Sequence, residues 1–134
     1  MVYNGMVWLG ILLATIAVYI LGALWYSPIL FGKIWMKLMK FDKKSMKGKN
    51  MTLAYIGNFI STFITLFILA YFLMATENMI NALLTTILIW IGFQLASATG
   101  SVFWEGKPWG VYWINMLYSL SSLVIATLII VQFL

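Results

Sequence analysis

MVWLGILLATIAVYILGALWY, Met6 to Tyr26, holds no charged residue and no interruption of its apolar run. A helix rises about 1.5 Å per residue and the hydrocarbon core of a bilayer is about 30 Å thick, so roughly 20 apolar residues make one crossing. The run is continuous rather than alternating, which favours a helix over a barrel strand. Three further stretches read the same way: about Thr52 to Met74, about Met79 to Trp104, and about Gly110 to Phe133. Between them lie chain breakers. Ser27-Pro28 ends the first run, because proline lacks a donor and restricts the residue before it. Ala75 to Asn78 and Glu105-Gly106-Lys107-Pro108 are short turns, and short turns make successive helices antiparallel neighbours. The expected fold is an all-α membrane protein. Four transmembrane helices (6–26, 52–74, 79–104 and 110–133) form an antiparallel bundle, a single domain over 1–134 with a basic loop at 27–51. A cleaved signal peptide starts with positive charge. Residues 1–6 hold none, so the first run is expected to be a retained helix.

Composition agrees with lipid as the solvent. Hydrophobic residues make up 64% of the chain and charged residues 8%, whereas a soluble domain carries about a quarter charged residues to face water. Cys and His are absent, the acids are Asp42, Glu77 and Glu105 alone, and every basic residue is Lys. These residues supply no nucleophile–base pair and no ligand set for a metal, so no enzyme activity, metal or cofactor is expected.

The lysines set the expected orientation. Lys33, Lys37, Lys40, Lys43, Lys44, Lys47 and Lys49 fall between the first two runs, and Lys107 falls in the other turn on the same side. The positive-inside rule puts these segments in the cytoplasm and both termini outside the cell membrane. Lys33, Lys37, Lys40, Lys44 and Lys47 also recur every three or four residues, with Ile34, Trp35, Leu38 and Met39 between them. That pattern predicts a basic amphipathic helix in the interface plane, against anionic lipid headgroups. The alternative is a solvated loop that only sets topology. Trp25, Trp35, Trp104, Trp109 and Trp113 map to the same interface as an anchoring belt, while Trp90 falls mid-helix and is expected to pack between helices.

Polar residues inside spans are costly, and they are the best pointers to function. Asn58, Ser61 and Thr65 share one face of the second helix, with Ala54. Trp90, Gln94, Ser97, Ser101 and Glu105 share one face of the third, and Asn115, Ser119 and Ser122 one face of the fourth. By depth, Asn58, Ser101, Glu105 and Asn115 lie in the inner turns of their helices, level with Trp25, Tyr26 and Ser27, and are expected to converge there. The competing reading is interhelical glue, worth about 0.6 kcal/mol per bond. Gly10 with Ala14, and Gly92 with Ala96 and Gly100, are small-residue ladders suited to close helix approach.

GALWYSPILFGKIWM, Gly22 to Met36, resembles the signature of the family called domain of unknown function 1761. FWEGKPWGVYWIN, Phe103 to Asn115, is similar to that family's second marker. The resemblance implies a bacterial or archaeal four-helix membrane protein and no assigned activity. It marks Trp25, Tyr26, Ser27, Pro28, Phe31, Gly32, Lys33, Glu105 and Asn115. Small multidrug exporters need an acid in the first helix, and fluoride channels carry an Arg; this chain has neither.

The function expected is an oligomeric channel or transporter, with a dimer favoured. It would pass a small solute or ion along Asn58, Ser61, Gln94, Ser101, Glu105 and Asn115. The alternative is a membrane-embedded accessory or scaffold protein, which binds partner helices or anionic lipid through Lys33, Lys37, Lys40, Lys44 and Lys47. The lipid bilayer is the partner under both readings, and nucleic acid is not one.

Overall fold

The computed structural model describes residues 4–40 and 51–134. Among these, four helical segments are long and apolar enough to cross a membrane: Val7–Trp25, Met51–Leu73, Met79–Phe103 and Trp109–Val131. No strand occurs among the described residues. The chain is a small membrane protein whose outward side chains are those of a lipid-facing surface, such as Ile20, Ile60, Ile64, Ile68 and Leu88. We label the helices α1 (Val7–Trp25), α2 (Gly32–Met39), α3 (Met51–Leu73), α4 (Met79–Trp90), α5 (Gly100–Phe103) and α6 (Trp109–Val131).

Local chemistry sets the helix ends. Asn78 caps α4, its side chain accepting from the Asn81 N–H at 2.9 Å. Pro108, extended and without a donor, stands just ahead of α6. After α1 the chain doubles back: Phe31 N donates to Trp25 O at 3.0 Å and Gly32 N to Ser27 O at 2.9 Å. Gly32 is there because nothing larger fits. A Cβ on it would stand 2.2 Å from Tyr26 O and 2.7 Å from Ser27 O.

The third span departs from a plain α-helix. After Trp90 it makes a π-helical turn at Ile91–Leu95, with Ala96 N bonded to Ile91 O at 3.0 Å. A 3-10 turn, Ser97–Thr99, then leads into α5. A π turn carries one more residue than an α turn, so the face read from an unbroken 3.6-residue period drifts beyond it.

α1 and α6 lie side by side. The Asn4 amide donates to Phe133 O at 2.8 Å at one end of the pair. The Trp25 indole donates to Ile114 O at 3.1 Å at the other. Gly10 lets the Phe133 ring approach, since a Cβ there would meet Phe133 Cδ2 at 2.8 Å, and Ala14 beside it is fully buried. The Gly10–Ala14 ladder is therefore a contact within the chain. The second ladder is not: Gly92 and Ala96 face outward, and a Cβ on Gly92 would meet nothing within 4 Å.

The basic segment begins as expected and stops sooner. α2 carries Lys33 and Lys37 on its exposed side, and its Leu38 packs toward Gly110 of α6. It ends where Lys40 turns left-handed, φ 58°, so the helical period does not run on through Lys40. Lys44 and Lys47 lie outside the described residues.

The Gly32 contact yields a test. Gly32→Ala is expected to cost about 1–3 kcal/mol, the usual range for overpacking a tight site. Gly57→Ala, with open space around it, is expected to cost far less. Unfolding of both variants by SDS titration in mixed micelles checks the difference.

Candidate functional site

The residues of the sequence signature form a buckle that fastens α1 and α2 to α6. The Trp25 ring lies against Phe31, centroids 4.8 Å apart, while its indole N–H reaches Ile114 O. The Tyr26 hydroxyl donates to Asn115 Oδ1 at 2.7 Å, and its ring meets Trp35 edge-on at 5.8 Å. Ser27 Oγ donates to Leu24 O at 2.7 Å, closing the last turn of α1. Pro28 and Lys33 are exposed, and Gly32 makes the close approach described above. The chemistry here is fastening: every polar atom named has an internal partner.

This accounts for Asn115, whose amide oxygen serves Tyr26 rather than an open polar cluster. Glu105 is elsewhere again. It sits in the turn before α6, 62% exposed, with Lys107 Nζ 3.3 Å from its Oε2. Such an exposed pair contributes little to stability. Ser101 is bonded back to Ala98 O at 2.9 Å. Ser61 is exposed, and its carbonyl accepts from Thr65. None of these four lines either cavity of the site described next.

Two adjoining cavities form a cleft between α3 and the other helices. The larger, about 510 Å³, is walled by Tyr19, Gly22, Ala23 and Tyr26 of α1, Tyr55 and Asn58 of α3, and Tyr118 of α6. The smaller, about 190 Å³, lies deeper. Val18, Asn58, Thr62, Thr65, Gln94, Tyr118, Ser119 and Ser122 are among its walls. Asn58 and Tyr118 border both, so the cavities join. From Tyr55 to Leu66 the cleft follows α3 for about 16 Å, roughly half the hydrocarbon core. There it ends. Leu66, Leu69, Ala70 and Leu73 pack with Val7, Ile11, Ala14 and Ile130 into a dry core in the far half, beside a separate apolar cavity of about 100 Å³ that shares no lining residue with the cleft.

Among the described residues no charged side chain lines the cleft; its polar groups are amides, hydroxyls and phenols. Ser119 is occupied, accepting from the Trp90 indole at 2.8 Å and donating to Met116 O at 3.0 Å. Ser122 is not: its Oγ is buried, the residue 6% exposed, with no hydrogen-bond partner among the described residues. A buried hydroxyl without a partner costs about 1–3 kcal/mol, which a bound polar molecule or water recovers.

Glue accounts for the polar groups on the other side of α6. Trp90 is buried and also donates to Met116 O at 3.1 Å. Thr86 and Thr127 share a hydrogen bond of 2.6 Å, and the Tyr112 hydroxyl donates to Leu95 O beside the π turn. Of the residues expected to line a path, Asn58 and Gln94 do so. Tyr19, Tyr55, Thr62 and Tyr118 line the cleft without having been singled out. Asn58, Thr62 and Thr65 stand at i, i+4 and i+7, so their spacing alone carried a signal for Thr62. The tyrosines had no comparable mark: Tyr55, near the start of α3, reads as an interfacial anchor, and Tyr19 and Tyr118 stand singly within apolar runs.

A family model described as Protein of unknown function (DUF1761) matches residues 9–131. No curated protein and no solved structure matches the chain.

The buckle predicts energetic coupling. Tyr26→Phe and Asn115→Leu are each expected to destabilise the bundle by about 0.6–1.7 kcal/mol, the range for interhelical bonds in lipid. The double variant should lose little beyond the larger single effect. A double-mutant cycle on SDS unfolding measures this.

Proposed function

The chain belongs to the family described as Protein of unknown function (DUF1761), a description that assigns no activity, and we propose that it is a membrane carrier for a small polar solute. The supporting observation is the cleft itself, open on one side and blind at mid-bilayer, with the unpartnered Ser122 hydroxyl near its end. Gluing helices together leaves no such group unsatisfied. A blind cleft suits a carrier that exposes its site to one side at a time better than an open pore. Among the described residues no carboxylate lines it, so movement down a gradient fits better than proton exchange.

The rest of the reading follows from membrane physics. The helices form an antiparallel bundle in the cell membrane, with Lys33, Lys37, Lys40 and Lys107 at the cytoplasmic end. α2 lies in that interface with its lysines on anionic headgroups. Asn58 is exposed along α3, and lipid cannot satisfy its amide. A second copy of the chain covers that side, so the working unit is a dimer. No catalytic step is part of the reading.

A second reading keeps the chain as an accessory protein for a partner helix. It is favoured by Phe93 and Trp104, 79% and 91% exposed, on the side where Gly92 and Ala96 face outward. Under it, replacing Lys33 and Lys37 by Gln removes function and Asn58→Leu does not.

Flux into proteoliposomes separates the two. Ser122→Leu and Asn58→Leu are expected to abolish uptake, and Glu105→Gln to leave it unchanged. Failure to pass any small ion or solute, in protein that remains folded, overturns the carrier reading.

A further inference from the structure

The wall of the larger cavity is unusual for its number of phenol rings. Tyr19, Tyr26, Tyr55 and Tyr118 surround it, and small Gly22 and Ala23 leave the space open. Gly22 is needed for this arrangement, since a Cβ on it would stand 2.8 Å from the Tyr118 hydroxyl. The rings of Tyr26 and Tyr118 are inclined at 66° with centroids 5.3 Å apart, two walls meeting nearly at a right angle.

Three of the four hydroxyls are already engaged. Tyr26 donates to Asn115 Oδ1 at 2.7 Å, Tyr19 to Tyr55 O at 2.7 Å, and Tyr118 to Val18 O at 3.2 Å. With those donors committed, the aromatic surface is what these rings have left to offer a ligand. A ring face carries the negative part of the quadrupole and attracts cations. Among the described residues no lysine lines the cavity, and none of its lining side chains compensates an anion. A bare metal ion is equally unsuited, because its water shell is too costly to exchange for rings. A cation with diffuse charge and apolar substituents loses little on leaving water and gains both the rings and the burial.

We propose that this tyrosine-walled cavity binds a small organic cation, an alkylated or quaternary ammonium group. The adjoining cavity then takes the polar remainder of the same molecule, with Asn58 between them and the Ser122 hydroxyl beyond. The inference deepens the carrier reading and rests on it for the claim that the cation crosses; binding stands or falls separately.

The binding test uses the full chain in maltoside micelles, titrated with choline and with its uncharged isostere 3,3-dimethylbutanol by isothermal calorimetry. Choline is expected to bind about tenfold tighter than the isostere. Tyr55, 61% exposed with no partner for its hydroxyl among the described residues, is the position to vary without harm to the fold. Tyr55→Leu should weaken choline about tenfold and Tyr55→Phe should retain it, since the ring and not the hydroxyl acts. Equal affinity for the isostere, equal loss in both variants, or no binding of choline by folded protein overturns the proposal. Nanodiscs then identify the source of the ammonium. Weaker choline binding in phosphatidylcholine discs than in phosphatidylglycerol discs assigns the cavity to a lipid headgroup. Equal binding assigns it to a free solute. Choline binding without choline flux in proteoliposomes overturns the carrier reading and leaves the site. Flux of other solutes without choline binding does the reverse.

Discussion

Lipid offers no hydrogen bonds, so each polar group within a span must find its partner in protein, and in this chain most side-chain bonds between helices have α6 at one end. The indoles of Trp25 and Trp90 both end on α6 carbonyls, at Ile114 and Met116. Tyr26 reaches its Asn115, Thr86 its Thr127, and Asn4 the carbonyl of Phe133 just beyond it. Tyr112 and Tyr118 return the exchange, donating to Leu95 O and Val18 O. α6 is thus a post to which α1 and the third span are bonded and against which α2 packs. The cleft stands out by contrast as the place where one buried hydroxyl, that of Ser122, has no partner among the described residues.

α3 is attached differently. Aromatic contacts hold it: Trp8 with Phe67 at 5.2 Å and Tyr19 with Phe59 at 5.3 Å. Such contacts are less directional than hydrogen bonds and tolerate sliding. The cleft therefore has one firm wall, made by α1, the third span and α6, and one wall that is held mainly by packing. In its far half α3 is anchored by Leu66, Leu69 and Leu73, each buried. A rocking of α3 about that end would widen the cleft while leaving the dry core intact, a motion of the kind carriers use.

The fold was legible because its signals are coarse. Twenty apolar residues without charge have few alternatives, and Pro28, Asn78 and Pro108 mark where the runs stop. The site was legible only in part. Residue depth follows from counting along a helix, and Asn58 and Asn115 do stand beside Tyr26, while Glu105 does not join them. The direction in which each side chain points does not follow so simply. Asn115 turns to Tyr26, Glu105 lies in a turn where water reaches it, and the π turn at Ile91–Leu95 breaks the stripe that joined Trp90 to Glu105. The extra residue of that turn has no plain sequence mark. The signature string proved a guide to architecture: Trp25, Tyr26 and Gly32 are held by fastening geometry.

The bond between Trp25 and Ile114 joins residues 89 positions apart in sequence. During synthesis α1 enters the membrane long before α6 has left the ribosome. In that interval its Trp25 and Tyr26 have no α6 to bond, and the post that organises the bundle does not yet exist. The insertion machinery, or the headgroup region of the lipid, must accommodate α1 until α6 arrives. Assembly of this small protein is for that reason governed by the order of translation: closure is a late, single event in which the helix made last completes the one made first.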